Sequence, residues 1–169
     1  GTPPNAAAWG GGKLDVGFLA DLPTPENTIW SNITKGGWTR DKIADAAVSN
    51  QGVIYATAGN PWNNEATTLY RGPSTGNSWT KLKTENGLLA VALGVDGTLF
   101  TARRYGSTIS RSLDGGVSWS EGGPVKDYTA IAYCAGDSLV LAGSFGQGVV
   151  GSSDRGGTWV PMNSGLGDD

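Results

Sequence analysis

The chain has 169 residues, of which 28 are glycine and only 16% are charged, and its formal net charge is −3. It has no histidine and one cysteine, which excludes a Ser-His-Asp triad, a Cys-His pair and an internal disulfide bond. The chain is mildly acidic and has no basic cluster beyond Arg103-Arg104, so no nucleic-acid partner is predicted. No apolar run approaches the ~20 residues of a membrane span, so no transmembrane segment is predicted.

Short runs of β-branched and aromatic residues follow one another along the chain, separated by glycine, asparagine, aspartate or serine. This pattern predicts strands, and no segment has the ~10–12 residues of helical periodicity that would favour a helix. Residues 1–40 carry the weakest pattern. Strands are predicted at 14–20, 27–31, 43–48, 53–57, 67–71, 88–93, 98–102, 108–112, 129–135, 138–142 and 148–152. Cys134, within an apolar run, is expected to be buried.

Four tryptophans recur at intervals of 41, 40 and 40 residues: Trp38, Trp79, Trp119 and Trp159. A large side chain at such a period indicates a repeated supersecondary unit. Four antiparallel strands per ~40 residues are typical of a β-propeller blade, which cannot bury both of its faces alone. The sequence predicts an all-β propeller with four blades, at about 1–40, 41–82, 83–122 and 123–163. We favour a portion of a larger propeller, completed by further blades or by self-association, over a closed ring of four.

The turns before the last two tryptophans share one motif, Ser-x-Asp-x-Gly-x-Ser/Thr-Trp, at 112–119 and 152–159. In such a turn aspartate accepts hydrogen bonds from backbone N–H groups, glycine adopts a positive φ and tryptophan covers the hairpin. The motif resembles the Asp-box, or BNR repeat, of sialidase- and xyloglucanase-like propellers, and the copies before Trp38 and Trp79 are degenerate. The resemblance implies a structural, not catalytic, role for Ser112, Asp114, Gly116, Trp119, Ser152, Asp154, Gly156 and Trp159.

The loops between second and third strands gather with the inter-blade linkers on one face of a propeller. The candidate ligand-binding residues on this face are Trp62, Glu65, Arg103, Arg104, Tyr105, Asp127 and Tyr128. Aromatic rings beside charged and amide groups suit a glycan or protein ligand, and ordinary polar loop content is the alternative. We expect no metal site, no cofactor and no catalytic residue.

The resemblance leaves three functions open. We favour a non-catalytic segment of a larger secreted or cell-surface protein that acts in structural assembly or binds carbohydrate or protein. The second function is a portion of a glycoside hydrolase, sialidase- or xyloglucanase-like, although no motif around the candidate residues matches either family. The third is an assembly protein similar to the photosystem II stability factor. The expected location is extracellular or at the cell surface.

Overall fold

The computed structural model describes residues 43–76 and 78–166. The predicted blade at 1–40, with Trp38, lies outside the described residues. Regular structure in the described part consists of twelve strands and a short 3-10 turn at Pro61–Asn63. The strands are β1 (Ile43–Val48), β2 (Val53–Ala58), β3 (Ala66–Pro73), β4 (Thr80–Asn86), β5 (Leu88–Leu93), β6 (Leu99–Arg103), β7 (Ser107–Ser112), β8 (Ser120–Lys126), β9 (Tyr128–Cys134), β10 (Leu139–Ser144), β11 (Gly148–Ser152) and β12 (Val160–Pro161).

The strands form three four-stranded sheets, each an antiparallel meander with its strands hydrogen-bonded in chain order. We call these sheets blade I (43–86), blade II (88–126) and blade III (128–161). All the strands predicted after residue 42 are present to within two residues, which confirms the all-β prediction. The fourth strand of each sheet follows its tryptophan.

The first two strands of blade II are buried on both faces. Every residue of β5 except the last is buried, and so are the first four residues of β6. Because alternate side chains of a strand point to opposite faces, both faces of these strands must be covered, one by blade I and the other by blade III. This explains why β5 reads as a continuous apolar run instead of an alternating one.

Two apolar cores hold the blades together. The core between blades I and II contains Tyr55, Leu69, Leu88, Val91 and Leu99, with Leu82 and Trp119 packed against it. The core between blades II and III contains Ala90, Ala92, Phe100, Ala102, Ile109, Tyr128, Ile131, Val140, Ala142 and Val150, with Tyr133 and Trp159 packed against it. Each core is therefore an interface between neighbouring sheets, as in other stacked repeats.

Cys134 is exposed, so the prediction that it is buried was wrong. It lies at the end of β9, on the same face as the exposed Ala130 and Ala132, whereas Ile131 on the opposite face packs against blade II. The apolar run suggested a strand covered on both sides. In the described structure only one face of blade III meets another blade, and Cys134 is on the other.

The two turns at 112–119 and 152–159 are held by the same hydrogen bonds. The Ser112 hydroxyl donates to the carboxylate of Asp114 and accepts from the N–H of Gly116, both at 2.8 Å. Asp114 also accepts from the Ser118 N–H at 2.9 Å and from the Ser118 hydroxyl. Ser152, Asp154, Gly156 and Thr158 repeat this arrangement in the second turn. The carboxylate of each turn is thus engaged by its own backbone and side chains.

Each of these turns also carries its tryptophan to the preceding blade. The indole N–H of Trp119 donates to the Gly116 carbonyl at 3.2 Å, and the Lys83 ammonium of blade I lies 4.7 Å from the ring centroid. Gly116 has a φ of +95°, and a Cβ there would lie 2.7 Å from Cδ1 of Leu82. The positive φ favours glycine here, and any larger residue would also require the Leu82 side chain of blade I to move. Trp159 lies in the same way against Gly122 and Gly123 of blade II.

The degenerate turn before Trp79 has Gly72 in place of the motif serine and differs in the hydrogen bonding of its tryptophan. Trp119 and Trp159 each donate their indole N–H to a glycine carbonyl. Within the described part of the chain, the buried Nε1 of Trp79 has no hydrogen-bond acceptor. Ser74 stands where the aspartate would be. The loss of the motif in sequence is therefore matched by the loss of a hydrogen bond in the structure.

We expect the two intact turns to make the fold sensitive to acid. Hydrogen bonds from the Ser118 hydroxyl and N–H lower the pKa of Asp114 to about 2, and bonds from the N–H and hydroxyl of Thr158 lower the pKa of Asp154 to about 2. Because both values lie below the ordinary 3.8, the stabilisation is present above pH ~4 and is lost as the pH falls towards ~2. Thermal unfolding followed by circular dichroism between pH 6 and 2 should show this loss.

The double substitution Asp114→Asn with Asp154→Asn provides the comparison. At neutral pH its thermal midpoint should lie several degrees below that of the wild type. Between pH 6 and 2 its midpoint should fall by less than that of the wild type, since neither turn can then titrate. The same substitution at Asp137, on an exposed turn, is the control. An acid profile of the double variant parallel to that of the wild type would contradict the prediction.

Candidate functional site

The loops between second and third strands meet the inter-blade linkers at one end of the sheets. The Gly87 N–H donates to the Glu65 carbonyl at 3.1 Å, and the Arg104 N–H donates to the Gly87 carbonyl at 3.0 Å. Between the next two blades, the Phe145 N–H donates to the Asp127 carbonyl at 2.8 Å. We call this surface the loop face and define it by residues 59–65, 87, 103–106, 126–127 and 144–147.

Arg104 is the centre of the loop face. Its Nε and Nη2 donate to the two carboxylate oxygens of Asp127 at 3.3 and 3.4 Å. Its guanidinium carbon lies 4.8 Å from the ring centroid of Trp62 and 5.3 Å from that of Tyr105. These contacts join the loops of blades I and II to the linker that precedes blade III. A planar guanidinium suits this position because it can stack on rings and bind a carboxylate at the same time.

Tyr105 is fixed by contacts at both its backbone and its hydroxyl. Its N–H donates to Oδ1 of Asp127 at 3.2 Å, and its hydroxyl donates to the Trp62 carbonyl. It adopts a φ of +69°, and a Cβ on Gly87 would lie 2.8 Å from Cδ2 of its ring. Glycine at 87 therefore makes room for the ring, and the aromatic pair is held in place before any ligand arrives.

The charges of Arg104 and Asp127 stabilise each other. The hydrogen bond from Arg104 lowers the pKa of the Asp127 carboxyl, with a further contribution from the Tyr105 N–H, and the same bond raises the pKa of Arg104. Both groups therefore stay ionised over the physiological range of pH. An ionised carboxylate held by arginine is a positioning group and a poor proton donor.

Three exposed aromatic side chains stand on the loop face, one from each described blade. The exposed fraction is 57% for Trp62, 42% for Tyr105 and 72% for Phe145. The sequence prediction included the first two and missed Phe145. A signal was present, because Tyr105-Gly106 and Phe145-Gly146 both begin 14 residues before the tryptophan of their blade. The loop face is thus an aromatic surface crossing three blades.

Tyr128 does not line the loop face, although the sequence suggested that it would. Its side chain is fully buried in the core between blades II and III, and its hydroxyl donates to the Pro124 carbonyl at 2.7 Å. Burial raises the pKa of Tyr128 to about 12. As the first residue of β9, it points into the stack and not along the linker.

Arg103 and Glu65 lie at the edge of the loop face. Arg103 is half-buried, with its Nε 3.9 Å from a carboxylate oxygen of Glu85, and Glu85 is paired at 3.1 Å with Lys83. Glu65 is half-buried and accepts a hydrogen bond from the Asn63 side chain at 3.4 Å. The structure thus brings Trp62, Arg104, Tyr105 and Asp127 together and directs Arg103 into an ion-pair network between blades I and II.

The part of the chain that the structure describes contains neither a metal-binding cluster nor a membrane-spanning helix. No group of three or more His, Cys, Asp or Glu side chains there could hold a metal ion. No helix among the same residues is long and apolar enough to cross a membrane.

Comparison with known proteins identifies the fold. Neither a protein-family model nor a curated protein matches the chain, but solved structures do. YCF48 from Cyanidioschyzon merolae matches with a TM-score of 0.57 at 13% identity, over 73% of this chain and 38% of its own. A chain of the nidogen/laminin complex has a TM-score of 0.58 at 15% identity, over 72% and 48%. The GH74 enzyme of Niastella koreensis has a TM-score of 0.54 at 18% identity, over 71% and 22%.

These structures show that the chain has a β-propeller fold. It spans less than half the length of each of them. One further structure shows YCF48 bound to a D1 peptide. At such low sequence identities, structural similarity indicates the fold but not the activity.

Proposed function

We propose that the chain is a non-catalytic segment of an Asp-box propeller and that it binds a protein partner through its loop face. The observation that carries this proposal is the set of exposed rings of Trp62, Tyr105 and Phe145 on the loop face, the first two of which lie against the guanidinium of Arg104, itself paired with Asp127. Exposed aromatic side chains on three adjacent loops mark a binding surface. The repeated turns at 112–119 and 152–159 support the assignment to the Asp-box class. An extracellular or cell-surface location is part of the same proposal.

The chemistry of the loop face favours a protein ligand. Tryptophan, tyrosine and arginine are the side chains that most often dominate the energetics of protein interfaces. Here Arg104 and the ring of Tyr105 are already fixed by intramolecular bonds. A preordered surface loses less side-chain entropy when it binds, which leaves more of the contact energy as affinity.

The solved propellers offer two precedents for a protein ligand. One YCF48 structure holds a D1 peptide, and another match comes from a complex of nidogen with laminin. Both support a role for this chain in binding protein. The third function considered from the sequence, an assembly protein similar to the photosystem II stability factor, would also act by binding protein.

Carbohydrate binding is the second candidate, and the exposed ring of Trp62 is the observation that favours it. Aromatic faces stack on sugar rings as well as on peptide side chains. A glycoside hydrolase needs in addition a carboxylic acid able to donate a proton. On the loop face Asp127 is ionised and bound to Arg104, which argues for binding over hydrolysis.

We expect Trp62→Ala and Tyr105→Ala to weaken binding without unfolding the chain. The test applies the labelled protein to a peptide array and to a glycan array. Peptides retained by the wild type should bind roughly 10- to 30-fold more weakly to each variant, the loss typical of a central aromatic contact. Val95→Ala is the matched control, because Val95 is an equally exposed apolar residue in the β5–β6 turn.

The two arrays separate the alternatives. Retention of glycans, lost in Trp62→Ala, would replace the protein partner with a carbohydrate. If neither array retains the protein, or if the control weakens binding as much as the loop-face variants, the loop face is not a recognition surface and the chain is a scaffold.

A further inference from the structure

The three exposed rings of the loop face are spaced by the stacking of the blades. Trp62, Tyr105 and Phe145 come from blades I, II and III in turn, and neighbouring sheets stack about 10 Å apart. The guanidinium carbon of Arg104 lies 4.8 Å from the ring centroid of Trp62 and 5.3 Å from that of Tyr105, so these two rings are separated by no more than about one sheet spacing. A segment lying across the loop face therefore meets one aromatic ring per blade.

The charges of the loop face are nearly balanced. Its described residues include three cations and two carboxylates, at Arg103, Arg104, Lys126, Glu65 and Asp127. Lys126 donates to the Gln147 carbonyl, and both arginines are engaged by carboxylates. Because complementary partners match charge with opposite charge, a face whose charges are largely paired internally suits a segment with little charge of its own.

Backbone donors on the loop face are already engaged. Five N–H groups there donate within the protein, those of Gly87, Arg104, Tyr105, Asp127 and Phe145. A peptide that binds by adding a strand needs a row of unpaired N–H and C=O groups on the surface that receives it. With these donors engaged, strand addition is disfavoured and contact through side chains is favoured.

The spacing of the rings also favours one backbone conformation in the partner. A polyproline II helix has three residues per turn and a rise of about 3.1 Å per residue, so one face recurs every ~9 Å, close to the sheet spacing. A β-strand presents one face at every second residue, about 7 Å apart, and falls out of step with the rings. An α-helix presents one face at every seventh residue, about 10 Å apart, and matches the spacing as well.

Hydrogen bonding separates the two helical conformations. Among the described residues, none accepts a hydrogen bond from the indole N–H of the exposed Trp62. The carbonyls of an α-helix are bonded within the helix, whereas a polyproline II segment has no internal hydrogen bonds and its carbonyls are free. The polyproline II segment can therefore supply the acceptor that this indole lacks.

We propose that the partner segment recognised by the loop face is proline-rich and binds as a polyproline II helix, with prolines three residues apart against the rings of Trp62, Tyr105 and Phe145. This inference rests on the proposed function, since it names the class of protein segment that the face binds. Proline suits the contact because its ring is apolar, its φ is already fixed and it has no N–H that binding would leave unpaired. Grooves lined by aromatic side chains recognise such segments in other folds.

The test compares three fluorescein-labelled peptides by fluorescence anisotropy against the whole chain. The first is a peptide of four Pro-Ala-Gln triplets. The second has the same residues with proline at every second position, and the third is an alanine-rich helical peptide with leucine at every seventh position. The triplet peptide should bind with a Kd at least about ten-fold lower than either of the others.

Variants then show where the triplet peptide binds. Trp62→Ala and Phe145→Ala should each raise its Kd by about ten-fold, because each removes one ring from an opposite end of the aromatic surface. The matched control is Val48→Ala, since Val48 is 62% exposed and lies at the end of β1 that points away from the loop face. This control should leave the Kd unchanged.

The outcomes distinguish this inference from the proposed function. If the chain retains peptides on an array through Trp62 but does not prefer the triplet peptide, the protein partner stands and the polyproline II conformation is overturned. Tighter binding of the second peptide would indicate strand addition, and tighter binding of the third a helical partner. Triplet binding that survives both alanine variants would also overturn the inference. If no peptide binds at all, the proposed function fails together with it.

Discussion

Replacing Phe100 with alanine is expected to lower the free energy of unfolding by about 3–5 kcal/mol. The ring is completely buried in the core between blades II and III. It lies next to Gly156, where a Cβ would be only 3.0 Å from the ring. Removal of the ring leaves a cavity that the two sheets can fill only by moving together, and their hydrogen-bonded strands resist that movement.

Urea unfolding followed by tryptophan fluorescence measures this loss. Val117→Ala is the control, because Val117 is among the most exposed apolar residues of the described chain and its substitution should change stability by less than ~0.5 kcal/mol. A loss of under ~1 kcal/mol for Phe100→Ala would show that the interface between blades II and III contributes little. A fall in the m value would instead show that the two blades no longer unfold together.

Replacing Trp119 with alanine is expected to lower the free energy of unfolding by about 2–3 kcal/mol. This is less than for a fully buried aromatic ring, because Trp119 is only half-buried. The indole packs against the core between blades I and II, bonds to the Gly116 carbonyl and lies beneath the Lys83 ammonium. Its removal separates the turn of blade II from β4 of blade I. Thermal and urea unfolding should both record the loss.

Phenylalanine at the same position separates packing from hydrogen bonding. Trp119→Phe retains most of the contact area and loses the indole N–H, so it should cost only about 1 kcal/mol. The matched comparison is Trp79→Phe, because the Nε1 of Trp79 has no hydrogen-bond acceptor among the described residues. The loss of unfolding free energy should therefore be smaller for Trp79→Phe than for Trp119→Phe. Equal losses for the two phenylalanine variants would contradict the structural role assigned to the bond between Trp119 and Gly116.

The sequence predicted the described strands because their signals are local. Alternation and continuous apolar runs depend on which faces of a strand are covered, and glycine, aspartate and asparagine mark the turns between them. The two intact turns could be recognised for the same reason, since the hydrogen bonds that Ser112 and Ser118 donate to Asp114 span only a few residues.

The loop face was predicted in part. Its location followed from the propeller topology, and Trp62, Arg104, Tyr105 and Asp127 do meet there. Their contacts between loops join residues 22 to 43 positions apart in the chain, and no local pattern specifies which loop side chain stacks on which. Phe145 was missed, although its spacing from Trp159 repeats that of Tyr105 from Trp119.

By itself, the sequence determined the described strands and predicted both the repeat and a structural role for the aspartate turns, because each depends on residues close together in the chain. Only the tertiary structure decided the surroundings of residues at blade boundaries. Tyr128 is buried because blade III packs on blade II, and Cys134 is exposed because the opposite face of blade III meets no described blade. Burial at these positions depends on the neighbouring sheet, which the sequence of one blade does not specify.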